Sequence, residues 1–159
     1  MAPAGLATNG KKHSKIQGFP IIPDMQVSIA REYTWEMGHA LLYHNGKCYR
    51  AHGHNYRMQV EVSGLLDDST SMILDFADLD SLVKPRIEEL DHRFLVHIDD
   101  TRFGDDYAYI KWDEDPTAES IALHLFHNLT AEMKSSEGLI LERVTLYETD
   151  KASATVRRS

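Results

Sequence analysis

The sequence predicts an α+β fold with its elements in the order strand, strand, helix, helix, strand, strand. Three observations lead there. Apolar side chains recur at every second residue over 26–39 and again over 52–63. They recur at helical spacing in two middle stretches that begin near residues 76 and 118. Strand character then returns at 139–148, and residues 151–157 follow as a fourth strand after a tight turn. Strands at both ends with helices between them make an α+β pattern, with neither a repeat nor a second domain.

Residues 1–24 read as a flexible tail, and 25–159 as a single domain. The tail holds Pro3, Pro20, Pro23, Gly5, Gly10 and Gly18 with the basic group Lys11, Lys12 and Lys15. It has no apolar core of the kind a secretory signal needs, and it lacks the arginines of a transit peptide. The first strand places Val27, Ile29, Tyr33, Trp35, Met37 and His39 on one face. Residues 40–51 form a loop with Asn45-Gly46 as its turn signal, in which His44 reads as a solvated side chain. The second strand puts His52, His54, Tyr56, Met58, Val60 and Val62 on one face, and the two long strands suggest an antiparallel pair.

Asp75 is placed to cap a helix from about Phe76 to Leu90, with Phe76, Leu79, Val83, Ile87 and Leu90 as its apolar stripe. Pro85 lies inside that run and is expected to kink or divide it. Residues 96–115, acidic and aromatic with Gly104, read as a long loop. Thr117 caps a second helix striped by Ile121, Leu125, Leu129 and Met133, on which His124 and His127 are ordinary packing or surface residues. In the third strand Val144, Leu146 and Glu148 share a face. A carboxylate in line with apolar residues is informative, because burying a charge without a partner is unfavourable.

Composition narrows the function classes. The chain of 159 residues is 42% hydrophobic and 26% charged, ordinary for a globular domain. A net charge of −8 argues against a nucleic-acid surface or an anionic membrane surface. No apolar run approaches a membrane span, and the single cysteine fits a reducing, cytoplasmic setting.

The chemistry concentrates in residues 39–54, which hold Cys48 and four of the nine histidines. His52 and His54 form an H-x-H pair, whose imidazoles point the same way in a strand. His39 can supply a third nitrogen. Three neutral imidazoles with one position open is the arrangement of a catalytic zinc site. Cys48 then serves either as a base or nucleophile beside the metal or as a fourth ligand that closes the site. Asp91 and His92 are candidates for proton relay.

The segments W-E-M-G-H39, C48-x-x-x-H52-G-H54, L-D-F76, L-D91-H92-R-F-L, P-T117-A-E119-S and Y-E148-T-D together resemble the 6-pyruvoyltetrahydropterin synthase and 6-carboxytetrahydropterin synthase family over residues 26–157. The resemblance implies the tunnelling fold, a four-stranded antiparallel sheet with two helices on one side. It implies homohexamers built as two stacked trimers, with active sites between subunits and 7,8-dihydroneopterin triphosphate as substrate. It assigns His39, His52 and His54 to zinc, Cys48 with Asp91 and His92 to proton transfer, and Glu148 to the pterin. Thr117 lies near the pterin in this assignment, and Glu119 is carried over only weakly because a helix start explains it. Lys47 and Arg50 are possible triphosphate donors or plain solvated charges.

Three residues, Tyr49, Arg50 and Ala51, separate Cys48 from His52. That spacing and Leu74-Asp75-Phe76 resemble the 6-carboxytetrahydropterin synthases of queuosine and deazapurine synthesis, which release acetaldehyde and triphosphate. A spacing of five resembles the biopterin branch. Outside catalysis, the chain could be a zinc-stabilised oligomer that only binds a pterin. A zinc hydrolase would want a carboxylate base beside its ligands, and H-G-H contains none.

Overall fold

The structure is a computed structural model, and it describes residues 26–106, 108–136 and 138–159. The expectation for residues 1–24 falls outside the described residues.

Strands β1 (Ser28–His39) and β2 (His52–Ser63) pair antiparallel along their whole length, from Ser28 opposite Ser63 to His39 opposite His52. Each buries the face that its alternation predicts: Tyr33, Trp35, Met37 and His39 on β1, and Tyr56, Met58, Val60 and Val62 on β2. Helix α1 (Phe76–Glu88) starts at Asp75, whose carboxylate accepts the Ala77 N–H at 2.7 Å. Pro85 does not divide it. The ring removes only the donor that the Ser81 carbonyl would otherwise have received, and Leu79, Val83 and Ile87 remain buried on both sides of it. Helix α2 (Ala118–Met133) starts at Thr117, whose hydroxyl accepts the Ser120 N–H at 3.2 Å. Caps of this kind each contribute about 1 kcal/mol.

The expected four-stranded antiparallel sheet is present inside a larger one. The segment read as a long loop over 96–115 contains strand β4 (Tyr109–Trp112) and the end of strand β3 (Phe94–His97). With β5 (Ile140–Thr149) and β6 (Ala152–Arg157) the sheet is six-stranded, in the order β4-β3-β1-β2-β5-β6. It is mixed, because β3 runs parallel to both β1 and β4. Two strands of four residues each are too short for a period of two to show, and they gain their partners only when the chain returns beside β1.

Both helices pack on the buried face of β1, β2 and β5, forming one core with Leu79, Val83, Ile121, Leu125 and Leu129 at its centre. The chain leaves α1 through His92, which has φ 57° in the left-handed region. Its N–H donates to the Glu36 carbonyl at 2.7 Å, and this turn starts β3 alongside β1. A non-glycine residue in that conformation costs about 1 kcal/mol, and such positions gather at functional sites. Gly38 permits the close approach of β3: a Cβ there would lie 2.4 Å from the Phe94 ring.

Candidate metal and pterin site

The sheet brings His39, His52 and His54 to one place on its inward face. His39 lies opposite His52 and Met37 opposite His54, so all three imidazoles project from the paired ends of β1 and β2. One ligand nitrogen from each lies within 4.8 Å of the others, and this is the one such metal-holding group among the described residues. His124 lies apart, tilted on the Trp112 ring at 4.6 Å, and His127 is exposed on α2. His44 is exposed, as read, and accepts the Gly46 N–H.

Outer hydrogen bonds decide which nitrogens face inward. His39 Nδ1 donates to the Pro116 carbonyl at 2.7 Å, and His52 Nδ1 donates to the Arg50 carbonyl at 2.8 Å. Each ring therefore carries its proton on Nδ1 and presents a bare Nε2. These two Nε2 atoms face each other at 3.0 Å. Two lone pairs at that distance with no proton to share repel, and a cation between them removes the repulsion. The donor set fits a divalent metal that favours imidazole.

Burial lowers the His39 pKa to about 4, with His52 and His54 adding to the fall against the opposing pull of the Pro116 carbonyl. Burial also lowers that of His54, against the Glu148 carboxylate. Both stay neutral at neutral pH, as ligands must. A stability test follows. In the unfolded chain His39 takes up its proton near its ordinary value of 6.5, but in the folded chain only near 4. The metal-free protein therefore loses stability as pH falls through that window, and gains nothing from this residue above it. The expected slope is about 1.4 kcal/mol per pH unit for one proton. Urea unfolding at a series of pH values checks it: the slope of His39→Gln should be smaller by roughly one proton's worth.

Glu148 is brought to the same place. It is the extra residue of a bulge in β5, since Tyr147 faces Ser153 and Thr149 faces Ala152 across β6. The bulge sends its carboxylate to 3.8 Å from His39 Nε2, with the side chain 23% exposed. Tyr56 completes the wall: its ring stacks on Trp35 at 5.6 Å, and its hydroxyl lies 3.5 Å from His39 Nδ1. Burial, then Glu148 and then Cys48, push the Tyr56 hydroxyl pKa up, so it stays protonated. The sequence reading placed Tyr56 in the core. Its position two residues after H-G-H, on the same face, is the signal that marks it as site lining.

Cys48 is half-buried and free, in a single 3-10 turn (Lys47–Tyr49). Its carbonyl accepts the Leu41 N–H at 2.9 Å, which joins the two ends of the loop. Asp115 fixes the loop's start by accepting the N–H groups of Leu42 and Tyr43 at 2.7 and 2.9 Å. Lys47 and Arg50 are exposed beside the turn. The Thr117 hydroxyl is occupied in capping α2, and Glu119 is exposed in its first turn.

Asp91 and His92 pair with each other, His92 Nδ1 lying 2.9 Å from Asp91 Oδ1. Desolvation works against it, but the Glu36 N–H and the His92 ring hold the Asp91 carboxyl below the usual range. Among the described residues no hydrogen bond or ion pair joins this pair to His39, His52 or Cys48. The His92 ring reaches the Glu36 carboxylate at 3.7 Å, and Glu36 belongs to the outward face of β1. An open cavity of about 450 Å³ is lined there by Glu36, Asn55, His92 and Arg93 together with Met37 and His54 of the triad.

Known proteins place this geometry. A family model described as 6-pyruvoyl tetrahydropterin synthase matches residues 28–159. The 6-carboxy-5,6,7,8-tetrahydropterin synthase of Haemophilus influenzae is 35% identical over 133 residues, covering 76% of this chain and 92% of its own. The protein of the same name from Rickettsia conorii is 28% identical over 130 residues, covering 77% and 94%. Among solved structures, the 6-pyruvoyl tetrahydropterin synthase of Caenorhabditis elegans superposes with a TM-score of 0.65 at 25% identity, over 85% of this chain and 97% of that one. No helix among the described residues is long and apolar enough to cross a membrane.

Proposed function

The chain belongs to the 6-pyruvoyl tetrahydropterin synthase family, and from that membership we propose that it is a 6-carboxy-5,6,7,8-tetrahydropterin synthase, a zinc-dependent lyase that converts 7,8-dihydroneopterin triphosphate to 6-carboxytetrahydropterin, acetaldehyde and triphosphate. The observation that carries the reading is the union of three inward imidazoles with the Glu148 carboxylate 3.8 Å from one of them. Relatives of that name and the three-residue spacing between Cys48 and His52 favour the 6-carboxy product.

His39, His52 and His54 would hold zinc, which acts as a Lewis acid toward substrate hydroxyls and makes neighbouring C–H bonds more acidic. The chain's own residues do the rest. The Glu148 carboxylate accepts hydrogen bonds from the pterin amino group and ring N–H and so fixes the ring. Tyr56 offers a neutral hydroxyl to the same pocket. Cys48, on its turn at the pocket wall, takes a proton from the substrate side chain. His92, oriented by Asp91, exchanges protons with it. As the side chain is oxidised the pterin ring is reduced, so no external reductant is required; one water supplies the second carboxylate oxygen as the carbon–carbon bond of the side chain breaks and acetaldehyde leaves with the triphosphate.

Within one chain no hydrogen bond or ion pair among the described residues joins His92 to Cys48, and this supports a site shared between subunits. A second copy set against this face supplies Asp91 and His92 where the first supplies Cys48 and the triad. Among the described residues β1 pairs with β3 only at Gly38 and His39, which leaves the edge from Ser28 onward for another strand, and β6 ends the sheet on the other side. Joining such edges between copies removes both. The family resemblance makes the proposed assembly a hexamer of two stacked trimers.

The deciding experiment is product analysis. Zinc-loaded protein incubated with 7,8-dihydroneopterin triphosphate is expected to yield acetaldehyde and 6-carboxytetrahydropterin by mass spectrometry. A 6-pyruvoyl product without acetaldehyde would move the chain to the biopterin branch. Absence of turnover with zinc bound would sink the proposal.

A further inference from the structure

The turn that carries Cys48 is gripped from outside by an ion pair that belongs neither to the triad nor to the pterin pocket. Asp100 follows β3, and its side chain is fully shielded from solvent. Arg102 occupies both of its oxygens. Oδ1 accepts from Nε at 2.8 Å and from the Arg102 backbone N–H at 3.1 Å, and Oδ2 accepts from Nη2 at 2.5 Å. Arg102 in turn holds the Asp100 carboxyl below the usual range. The remaining guanidinium nitrogen, Nη1, donates to the Tyr49 carbonyl at 2.5 Å. The guanidinium carbon stands over the Tyr49 ring, 3.7 Å from its centroid. Tyr49 is the residue after Cys48 and closes the 3-10 turn.

The mount of this grip is stiff. The Phe103 ring packs on Phe94 at 5.3 Å and on Tyr109 at 5.5 Å. Phe94 pairs with Gly38, the neighbour of His39. A continuous chain of contacts thus runs from the strand that carries the first imidazole, through β3 and Arg102, to the cysteine turn. Two plainer roles fit poorly. A surface ion pair would not have one partner wholly buried. A triphosphate ligand would not have its guanidinium committed on all three nitrogens, whereas Lys47 and Arg50 stand exposed nearby.

We propose that Asp100 and Arg102 are a positioning pair for Cys48, with Arg102 clamping the Tyr49 carbonyl and ring so that the thiol is presented to the metal pocket in one orientation. Neither residue touches the substrate. The pair acts through Tyr49, and its catalytic meaning rests on the assignment of Cys48 to proton transfer.

The test reads the thiol directly. Cys48 is the only cysteine, so iodoacetamide alkylation of the zinc-loaded, substrate-free protein reads that thiol alone, and rates taken over a pH series separate its presentation from its thiolate fraction. Arg102→Ala, made together with Asp100→Asn so that no buried charge is left unpaired, is expected to raise the alkylation rate about tenfold as the turn is released, with zinc content and melting temperature kept; loss of one charge-assisted contact and one stack sets that order of magnitude. Arg102→Lys should behave like Arg102→Ala, because a single ammonium cannot span Asp100 and the Tyr49 carbonyl while also covering the ring. Tyr49→Leu removes only the exposed ring, and it is expected to raise the rate severalfold even should Arg102→Ala fail to fold. Rates within twofold of wild type in folded Arg102→Ala and Tyr49→Leu would overturn the proposal. So would full restoration by lysine, or a rise that merely follows a lowered melting temperature. Turnover is measured in parallel, and a kcat loss at near-constant KM is expected. If wild type makes no pterin product, the functional assignment falls while the alkylation result still judges the clamp.

Discussion

Cys48→Ala is expected to lower formation of 6-carboxytetrahydropterin by about 10²–10⁴-fold, the range that a positioned proton-transfer group contributes. Zinc content and melting temperature should stay at wild-type values. The reason is where the thiol sits: on a surface turn and half-buried, with its backbone rather than its side chain making the Leu41 contact. Trimming it therefore removes chemistry and little packing. Activity within threefold of wild type would exclude Cys48 from the reaction. The same variant tests the shared site. His92→Ala should be inactive on its own, since Cys48 then lacks its partner in proton exchange. Oligomers reassembled from a mixture of Cys48→Ala and His92→Ala chains should regain activity, because some interfaces then combine an intact Cys48 with an intact His92. Mixtures that stay inactive would show that the two residues do not meet between subunits.

Removal of zinc is the second large effect. Chelation should abolish turnover and lower the melting temperature, and added zinc should restore both. The fall in stability comes from the His39 and His52 Nε2 atoms, which face each other at 3.0 Å with both Nδ1 protons committed to carbonyls. His52→Ala should lose zinc affinity by more than about 100-fold, above the range seen when only an outer hydrogen bond to a ligand is removed. Its activity should not return on adding zinc to ordinary levels. His52 suits this test better than His39: it is half-exposed, whereas His39 is 2% exposed and its truncation would leave a hole in the core. Zinc stoichiometry by atomic spectrometry together with product assay decides the matter. A fully zinc-loaded, active His52→Ala protein would remove His52 from the site.

Local pattern was enough for the long elements and for the three histidines that could hold a metal. Residues 28–39 and 52–63 alternate over twelve positions each, so the inward face, and the three histidines on it, can be read before any pairing is known. The caps at Asp75 and Thr117 follow from side-chain chemistry within three residues, and they too are where expected. The line of Val144, Leu146 and Glu148 marked a carboxylate facing inward. What local pattern could not show is how far the carboxylate reaches, because the bulge that aims it depends on the partner strand β6.

Tertiary structure decided the remainder, always where a contact joins distant parts of the chain. β3 and β4 carry four residues each and are stabilised by parallel pairing beside β1, a non-local gain that leaves no periodicity to detect. The Nδ1–H bonds that orient His39 and His52 end on the carbonyls of Pro116 and Arg50, and a carbonyl has no sequence signature. Asp100 and Arg102 looked like loop charges until the fold buried one of them and laid the other on Tyr49, 53 residues away. His92 is the sharpest case. Adjacency in sequence correctly suggested its pairing with Asp91, but that its left-handed turn aims the ring at Glu36 of β1 could be seen only in the folded chain. Residue type and spacing thus determined which groups can bind a metal or move a proton, since those depend on a few neighbouring side chains. Which of those groups face one another depended on long-range pairing, and only the folded chain shows it.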